Sequence, residues 1–173
     1  MRRLTVLLSS LIVSTITFSA HAADFAMNTT AFLDTGVIPV LYTCDGKDIS
    51  PQISWANPPA KTQSFVMILT DPEAPGGTFY HWIAYNIPAT ARELPEGSVP
   101  KGTIVGKNTG GNEKYNGPCP PKGTAHTYEF QLYALDTKLK LPAGSDQKTI
   151  QEMMKNHVVG KAKLTTVYSR WNG

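Results

Sequence analysis

Apolar and polar positions along the chain fall mostly into short alternating blocks, with one block that does not alternate. Ser64 to Asp71, SFVMILTD, is almost continuously apolar, which is the pattern of a strand buried on both faces. His81 to Ile87, HWIAYNI, alternates, with His81, Ile83, Tyr85 and Ile87 predicted on one face and Trp82, Ala84 and Asn86 on the other. His126 to Leu135, HTYEFQLYAL, alternates as well and sets His126, Tyr128, Phe130 and Leu132 on a common face. Ala162 to Trp171 reads as a last strand, and shorter strands are predicted at Phe25–Thr30, Val40–Asp45 and Pro51–Asn57.

One segment carries a helical period. Ile150, Met153, Met154, His157 and Val158 recur at i, i+3, i+4, i+7 and i+8, giving a single apolar stripe that suits core filling. Asp146 is placed to cap its start and Gly160 to end it. Glu93 to Ala125 has no strong period, and a loop of that length in one domain is usually functional or mobile. Strand spacing and turn content predict a mainly β fold: an antiparallel β-sandwich with one or two peripheral α-helices.

The first residues are set apart. Arg2 and Arg3 precede an apolar run from Leu4 to Phe18, and Ala20-His21-Ala22 matches an A-x-A cleavage site. The expectation is a signal peptide over residues 1–22, cleaved after Ala22, and one domain over residues 23–173. That makes the protein periplasmic or secreted, and no later segment has the length to span a membrane. The full chain carries a net charge of +3; without Arg2 and Arg3 it has 14 basic and 13 acidic residues, hence +1. Scattered charge of that size leaves no nucleic-acid footprint. Cys44 and Cys119 are the two cysteines. Export permits them to oxidise, and their Gly/Pro-rich surroundings favour a bridge over two buried free thiols.

Candidate chemistry collects at strand ends. In TDPEAPGGTFYHW, Asp71 and Glu73 lie among prolines and glycines that restrict or permit special backbone angles, and His81 opens the next strand. His126 opens a third strand directly after NGPCPPKGT, with Tyr128 two residues on. If these strands share one sheet, Asp71, Glu73, His81, His126 and Tyr128 converge at one rim. A carboxylate there can accept from an imidazole N–H, set its tautomer and favour its charged form. The competing reading is an enzyme, an acid–base or metal-assisted hydrolase built on the Asp/Glu/His cluster. No H-E-x-x-H, Cys/His cluster or G-x-S-x-G elbow supports it, and no metal or cofactor is expected.

YTCDGKDISPQISW, TDPEAP followed by HWIAYNIP, and GPCPPKGTAHTYEFQLYALD together resemble the phosphatidylethanolamine-binding protein family, also called Raf kinase inhibitor-like proteins, and its bacterial branch in particular. The resemblance implies antiparallel sheets with helices at the edge and a small anion-accepting pocket. Its walls would be Asp71, Glu73, His81, the Gly117–Pro121 turn with Pro120 and Pro121, His126 and Tyr128. It implies a small anion or phospholipid headgroup such as phosphoethanolamine as ligand, with Glu73 meeting an ammonium, and it allows a protein partner such as a protease or another extracellular protein. Two positions depart from the family pattern: Glu73 stands where many members have Asp, and Thr127 where many have Arg, so one positive charge is missing from the rim. The tight acid-bearing turn and the resemblance together predict a cis bond at Ala74–Pro75, against an ordinary turn with Pro75 at its second position.

Overall fold

The computed structural model describes residues 23–172, so the predicted signal peptide over residues 1–22 lies outside the described residues. The chain runs from β1 (Ala26–Asn28) through a 3-10 turn (Val40–Tyr42) to β2 (Ile53–Ala56), β3 (Ser64–Asp71) and β4 (Phe79–Pro88). It continues with β5 (Glu93–Leu94), β6 (Ile104–Val105), β7 (Ala125–Leu135), α1 (Gln147–Met154) and β8 (Val158–Ser169). Two antiparallel sheets result: a three-stranded one in the order β1-β2-β5 and a five-stranded one in the order β6-β4-β3-β7-β8.

All eight residues of β3 are buried, which explains its unbroken apolar run. The small sheet covers one face of the large one, where Phe65, Met67 and Leu69 of β3 pack with Trp55, Trp82, Tyr128, Phe130 and Leu132. On the other face Val66 and Ile68 pack with Ile83, Tyr85 and, from α1, Ile150 and Met154. Each such side chain fully withdrawn from water contributes roughly 1.5–3 kcal/mol before entropy is counted. A strand lying between two layers must be apolar on both sides, whereas β7 keeps the predicted alternation with His126, Tyr128, Phe130, Leu132 and Ala134 inward.

The structure departs from the sequence expectations in four places. Val40–Asp45 is not a strand: the chain forms the 3-10 turn and folds back, so that Lys47 N–H donates to the Leu41 carbonyl at 3.1 Å. The return is so close that a Cβ on Gly46 would lie 2.0 Å from the Val40 carbonyl oxygen. Second, the helix stops at Met154 with Lys155 as its C-cap, not at Gly160. His157 and Val158 leave the helical stripe because the ladder to β7 claims them: Val158 pairs with Leu135, and Asp136 N–H donates to the His157 carbonyl at 3.0 Å. The predicted cap holds, Asp146 accepting from Thr149 N–H at 2.8 Å. Third, β4 does not keep one alternation. Its ladder to β3 slips between the pairs Leu69↔Trp82 and Thr70↔Tyr80, and again between Phe65↔Ile87 and Met67↔Ala84, where Asn86 has φ 55°. Each bulge turns the side chains beyond it to the opposite face. Ile83 and Tyr85 therefore pack toward α1, while Ile87 joins Trp82 and Ala84 in the core between the sheets. Fourth, the described residues contain no cis peptide bond, so Ala74–Pro75 is trans. Ala74 accepts from Gly77 N–H at 3.1 Å, closing a turn in which Gly76 and Gly77 take positive φ and Pro75 stays trans.

Candidate functional site

β3 lies between β4 and β7, so the end of β3 and the starts of β4 and β7 meet at one edge of the large sheet. Asp71 closes β3 and is only 3% exposed. One of its oxygens takes a hydrogen bond from His126 Nδ1 at 2.7 Å, and the other accepts from Glu73 N–H at 2.9 Å. The bulge between Leu69 and Thr70 leaves His81 outside the pairing and turns its ring toward Tyr128, with centroids 5.3 Å apart. His81 is 4% exposed, and its Nδ1 donates to the Asn116 carbonyl at 2.9 Å. With Nδ1 committed in both rings, Nε2 is the nitrogen that each histidine can offer to a ligand.

Asp71, His81, Asn116, Cys119, Pro120, Pro121 and His126 line a cavity of about 300 Å3, closed by Ala74, Pro75, Phe79 and Arg170. Of the predicted site residues, Asp71, His81, Pro120, Pro121 and His126 are thus in its wall. Tyr128 lies behind the two imidazoles, Gly117 supports the loop, and Glu73 reaches away from the cavity to accept from Thr127 N–H. The Glu73 carboxylate therefore braces the turn after β3 against the start of β7.

Burial sets the protonation preferences. It lowers the His81 pKa below the usual imidazole value, and the hydrogen bonds to the Asn116 and Gly117 backbone and the Asp71 charge only partly counter it. The uncharged ring is thus favoured at His81, where a nearby carboxylate was expected to favour the charged form; Asp71 is hydrogen-bonded to His126 instead. Burial, reinforced by Asp71, pushes the Tyr128 phenol far above its usual range. Its hydroxyl is fully buried with no well-formed hydrogen bond among the described residues, and the Cys119 backbone and Asp71 are close enough to influence it.

Four positions of the site escaped the sequence reading. Arg170, just past β8, brings a cation to the cavity where Thr127 offers none. Its Nε and NH2 groups donate to Asp45 at 2.9 to 3.1 Å, Tyr168 donates to the same carboxylate at 2.8 Å, and these bonds hold Asp45 below the usual carboxylate range. Phe79 stands 4.7 Å from the His81 ring. Asn108, buried, accepts from Asn112 N–H at 3.0 Å and donates to the carbonyls of Lys114 and His81, which ties the long loop to β4. Asp48 accepts from Gly117 N–H at 2.6 Å. The local signals were the nearness of Asn108 to a glycine pair and of Phe79 to His81; Asp48 and Arg170 have partners 69 and 125 residues away, beyond any local pattern.

The pocket loop is held from behind. A Cys44–Cys119 disulfide joins it to the turn after the 3-10 segment, as expected from the two loops, and Cys44 N–H donates to the Pro118 carbonyl at 3.2 Å. A Cβ on Gly117 would meet the Tyr42 carbonyl oxygen at 2.4 Å and Thr43 Cα at 2.8 Å, both backbone atoms. Gly117→Ala is therefore expected to lower unfolding free energy by about 1–3 kcal/mol, the usual cost of overpacking. A urea unfolding midpoint equal to that of the native protein would refute the close approach. Among the described residues no group of three or more His, Cys, Asp or Glu side chains converges in a way that could hold a metal ion.

The family model for phosphatidylethanolamine-binding protein matches residues 28–169. A UPF0098 protein of Methanothermobacter thermautotrophicus is 44% identical over 149 residues, covering 83% of this chain and 98% of that protein. A UPF0098 protein of Aquifex aeolicus is 43% identical over 170 residues, covering 95% of this chain and 99% of that protein. The crystal structure of Escherichia coli YbcL, described as a new member of the mammalian PEBP family, superposes with a TM-score of 0.80 at 30% identity, covering 85% of this chain and 99% of that one.

Proposed function

This chain belongs to the phosphatidylethanolamine-binding protein family, and from that premise we propose that it is an exported binding or regulatory protein whose cavity takes a small phosphorylated or carboxylated anion of headgroup size. The observation that carries the reading is the pair of histidines on one small cavity, each with Nδ1 committed to the protein and Nε2 left for a ligand. Both cation-capable side groups with carboxylate partners, His126 beside Asp71 and Arg170 beside Asp45, suit a ligand that bears both charges, such as phosphoethanolamine. Prolines 75, 120 and 121 and the disulfide hold the wall in place before the ligand arrives, which lowers the ordering cost of binding. Export rests on the Arg2-Arg3, apolar and Ala20-His21-Ala22 pattern; mature protein that retains Met1 would remove that part of the proposal.

The test is calorimetry with phosphoethanolamine, and with sulfate as an anion whose charge stays constant from pH 6 to 8. In the free protein burial lowers the His81 pKa. A bound anion favours the imidazolium and raises it, so binding takes up a proton between the two values. Affinity is therefore highest at the acid end and falls as pH rises through the bound-state value, by at most about tenfold per pH unit for one proton. The expected result is weaker binding at pH 8 than at pH 6 for both anions, lost in His81→Ala. Binding that does not change with pH, or that survives both His81→Ala and His126→Ala, would place the ligand elsewhere. Release of inorganic phosphate during the titration would move the assignment to a hydrolase.

A further inference from the structure

We propose that a second cavity, next along the long loop from the histidines, binds a free α-amino acid with a medium-sized apolar side chain. Lys114 and Tyr115 line this cavity, Asn116 lines the other, and the two share no residue. Its volume is about 280 Å3. That is at or just below the small end of ligand cavities, about 300–1,000 Å3, so its occupant is small. Its wall is fixed from several sides. Gly97 N–H donates to the Ser50 carbonyl at 2.9 Å, which closes the segment after β5 over the segment before β2. Asn108 donates to the Lys114 carbonyl at 3.3 Å, and the Tyr115 hydroxyl donates to the Tyr42 carbonyl at 2.8 Å. Trp82 of β4 packs edge-on against Tyr115, with ring centroids 5.6 Å apart.

The polar groups select the occupant. Trp82 is 2% exposed and Ser50 3%, and both line the cavity. Among the described residues neither the Trp82 indole N–H nor the Ser50 hydroxyl has a hydrogen-bond partner, and neither is sealed from solvent as the Trp55 N–H is. Because both residues are buried, the solvent these groups touch is that of the cavity. Buried indole and hydroxyl donors ordinarily find an acceptor, which here a ligand supplies. Lys114 is exposed at the same cavity and forms no ion pair among the described residues. Three donors on one small cavity suit a carboxylate. Asp48 is the acid there. One of its oxygens accepts from Gly117 N–H at 2.6 Å, and the other accepts no hydrogen bond among the described residues. Asp48 and Lys114 thus share a cavity without pairing, and a ligand that bears both charges satisfies both. Ile49, Val99 and Val105 complete the lining with an apolar surface for a side chain. Nothing in this inference depends on what the histidine cavity binds.

The test is a titration of the full mature protein with leucine, read by the indole Nε1–H resonances of its three tryptophans. The expected result is a saturable shift of the Trp82 signal at about 1 mM leucine or below, while the Trp55 and Trp171 signals stay in place. Three analogues each remove one group: leucinamide the carboxylate, 4-methylpentanoate the ammonium, and glycine the side chain. Each is expected to bind at least about tenfold more weakly, the usual worth of a hydrogen bond to a charged group or of a buried aliphatic side chain. Lys114→Gln, at an exposed position that the fold does not depend on, is expected to weaken leucine by about tenfold, and Ser50→Ala by about threefold to tenfold. Lys155→Gln, which removes the same charge at the end of α1, binds leucine as the native protein does. A Trp82 signal that does not move up to about 10 mM leucine overturns the proposal. So does 4-methylpentanoate or leucinamide binding as tightly as leucine, or leucine affinity untouched by Lys114→Gln.

Discussion

Removing the Cys44–Cys119 bridge, by reduction or by the double change Cys44→Ser with Cys119→Ser, is expected to lower the unfolding free energy by about 4 kcal/mol. The two cysteines are 75 residues apart in sequence, and closing a loop of that size withdraws about this much chain entropy from the unfolded state. A domain of this length loses roughly 2–4 °C of Tm per kcal/mol, so a fall of about 8–16 °C follows. Weakened affinity should accompany it. Cys119 is part of the cavity wall, and without the bridge its loop is held to the Thr43–Asp48 turn by the Cys44–Pro118 and Gly117–Asp48 hydrogen bonds. Differential scanning calorimetry with and without reductant, alongside alkylation of the unfolded protein before and after reduction, provides the measurement. Free thiols in protein that has never met a reductant, or an unchanged Tm after full reduction, would show that the bridge does not support the fold.

Asp71→Asn is expected to weaken phosphoethanolamine binding by about tenfold or more, although it removes a negative charge beside an anion site. A carboxylate accepts on both oxygens, and Asp71 does so from His126 Nδ1 at 2.7 Å and from Glu73 N–H at 2.9 Å. An asparagine has one acceptor and one donor end. Turned either way, it sets its NH2 group against a donor. If that donor is His126, the ring must shift its proton to Nε2, and the hydrogen bond that orients it through Nδ1–H is lost. A repulsion model predicts the reverse, tighter binding with one acid fewer, so the sign of the change decides between them. Stability should fall too, by about 1–3 kcal/mol, because a buried donor loses its acceptor. Calorimetry reads the affinity, and nitrogen chemical shifts of His126 report its tautomer. Tighter binding with an unaltered tautomer would end the argument that Asp71 works through His126.

Much of this arrangement was legible in the amino-acid order. The unbroken apolar run from Ser64 to Asp71 announced a strand covered on both sides, and the period of two after His126 announced which residues of β7 face inward. Asp146 as a cap was readable because its partner, Thr149, is three residues away. The acid-bearing turn, both histidines and the Gly/Pro loop were visible as well, because rigid residues around polar ones stand out in a lightly charged chain. What these have in common is short range: burial on a pleat, a helix cap and a turn are settled by neighbours within a few positions.

The tertiary structure decided the rest, and for one reason: register and reach depend on strands that arrive from elsewhere. Nothing in HWIAYNI tells where β3 will slip past β4, yet those two slips send Ile83 and Tyr85 toward α1 and turn His81 toward Tyr128. Val40–Asp45 has strand-like composition, but it forms a 3-10 turn and curls onto Gly46. The period from Ile150 to Val158 looked helical to its end, but the ladder between β7 and β8 took its last residues, a pairing with a strand that no local pattern reveals. Asp71 could have served either histidine by residue type alone; the order β4-β3-β7 and the bulge at His81 gave its carboxylate to His126. Arg170 reached the same cavity only because β8 ends beside the Gly123–Thr124 turn. The order of amino acids determined which chemical groups the rim would contain, and strand register determined which of them touch.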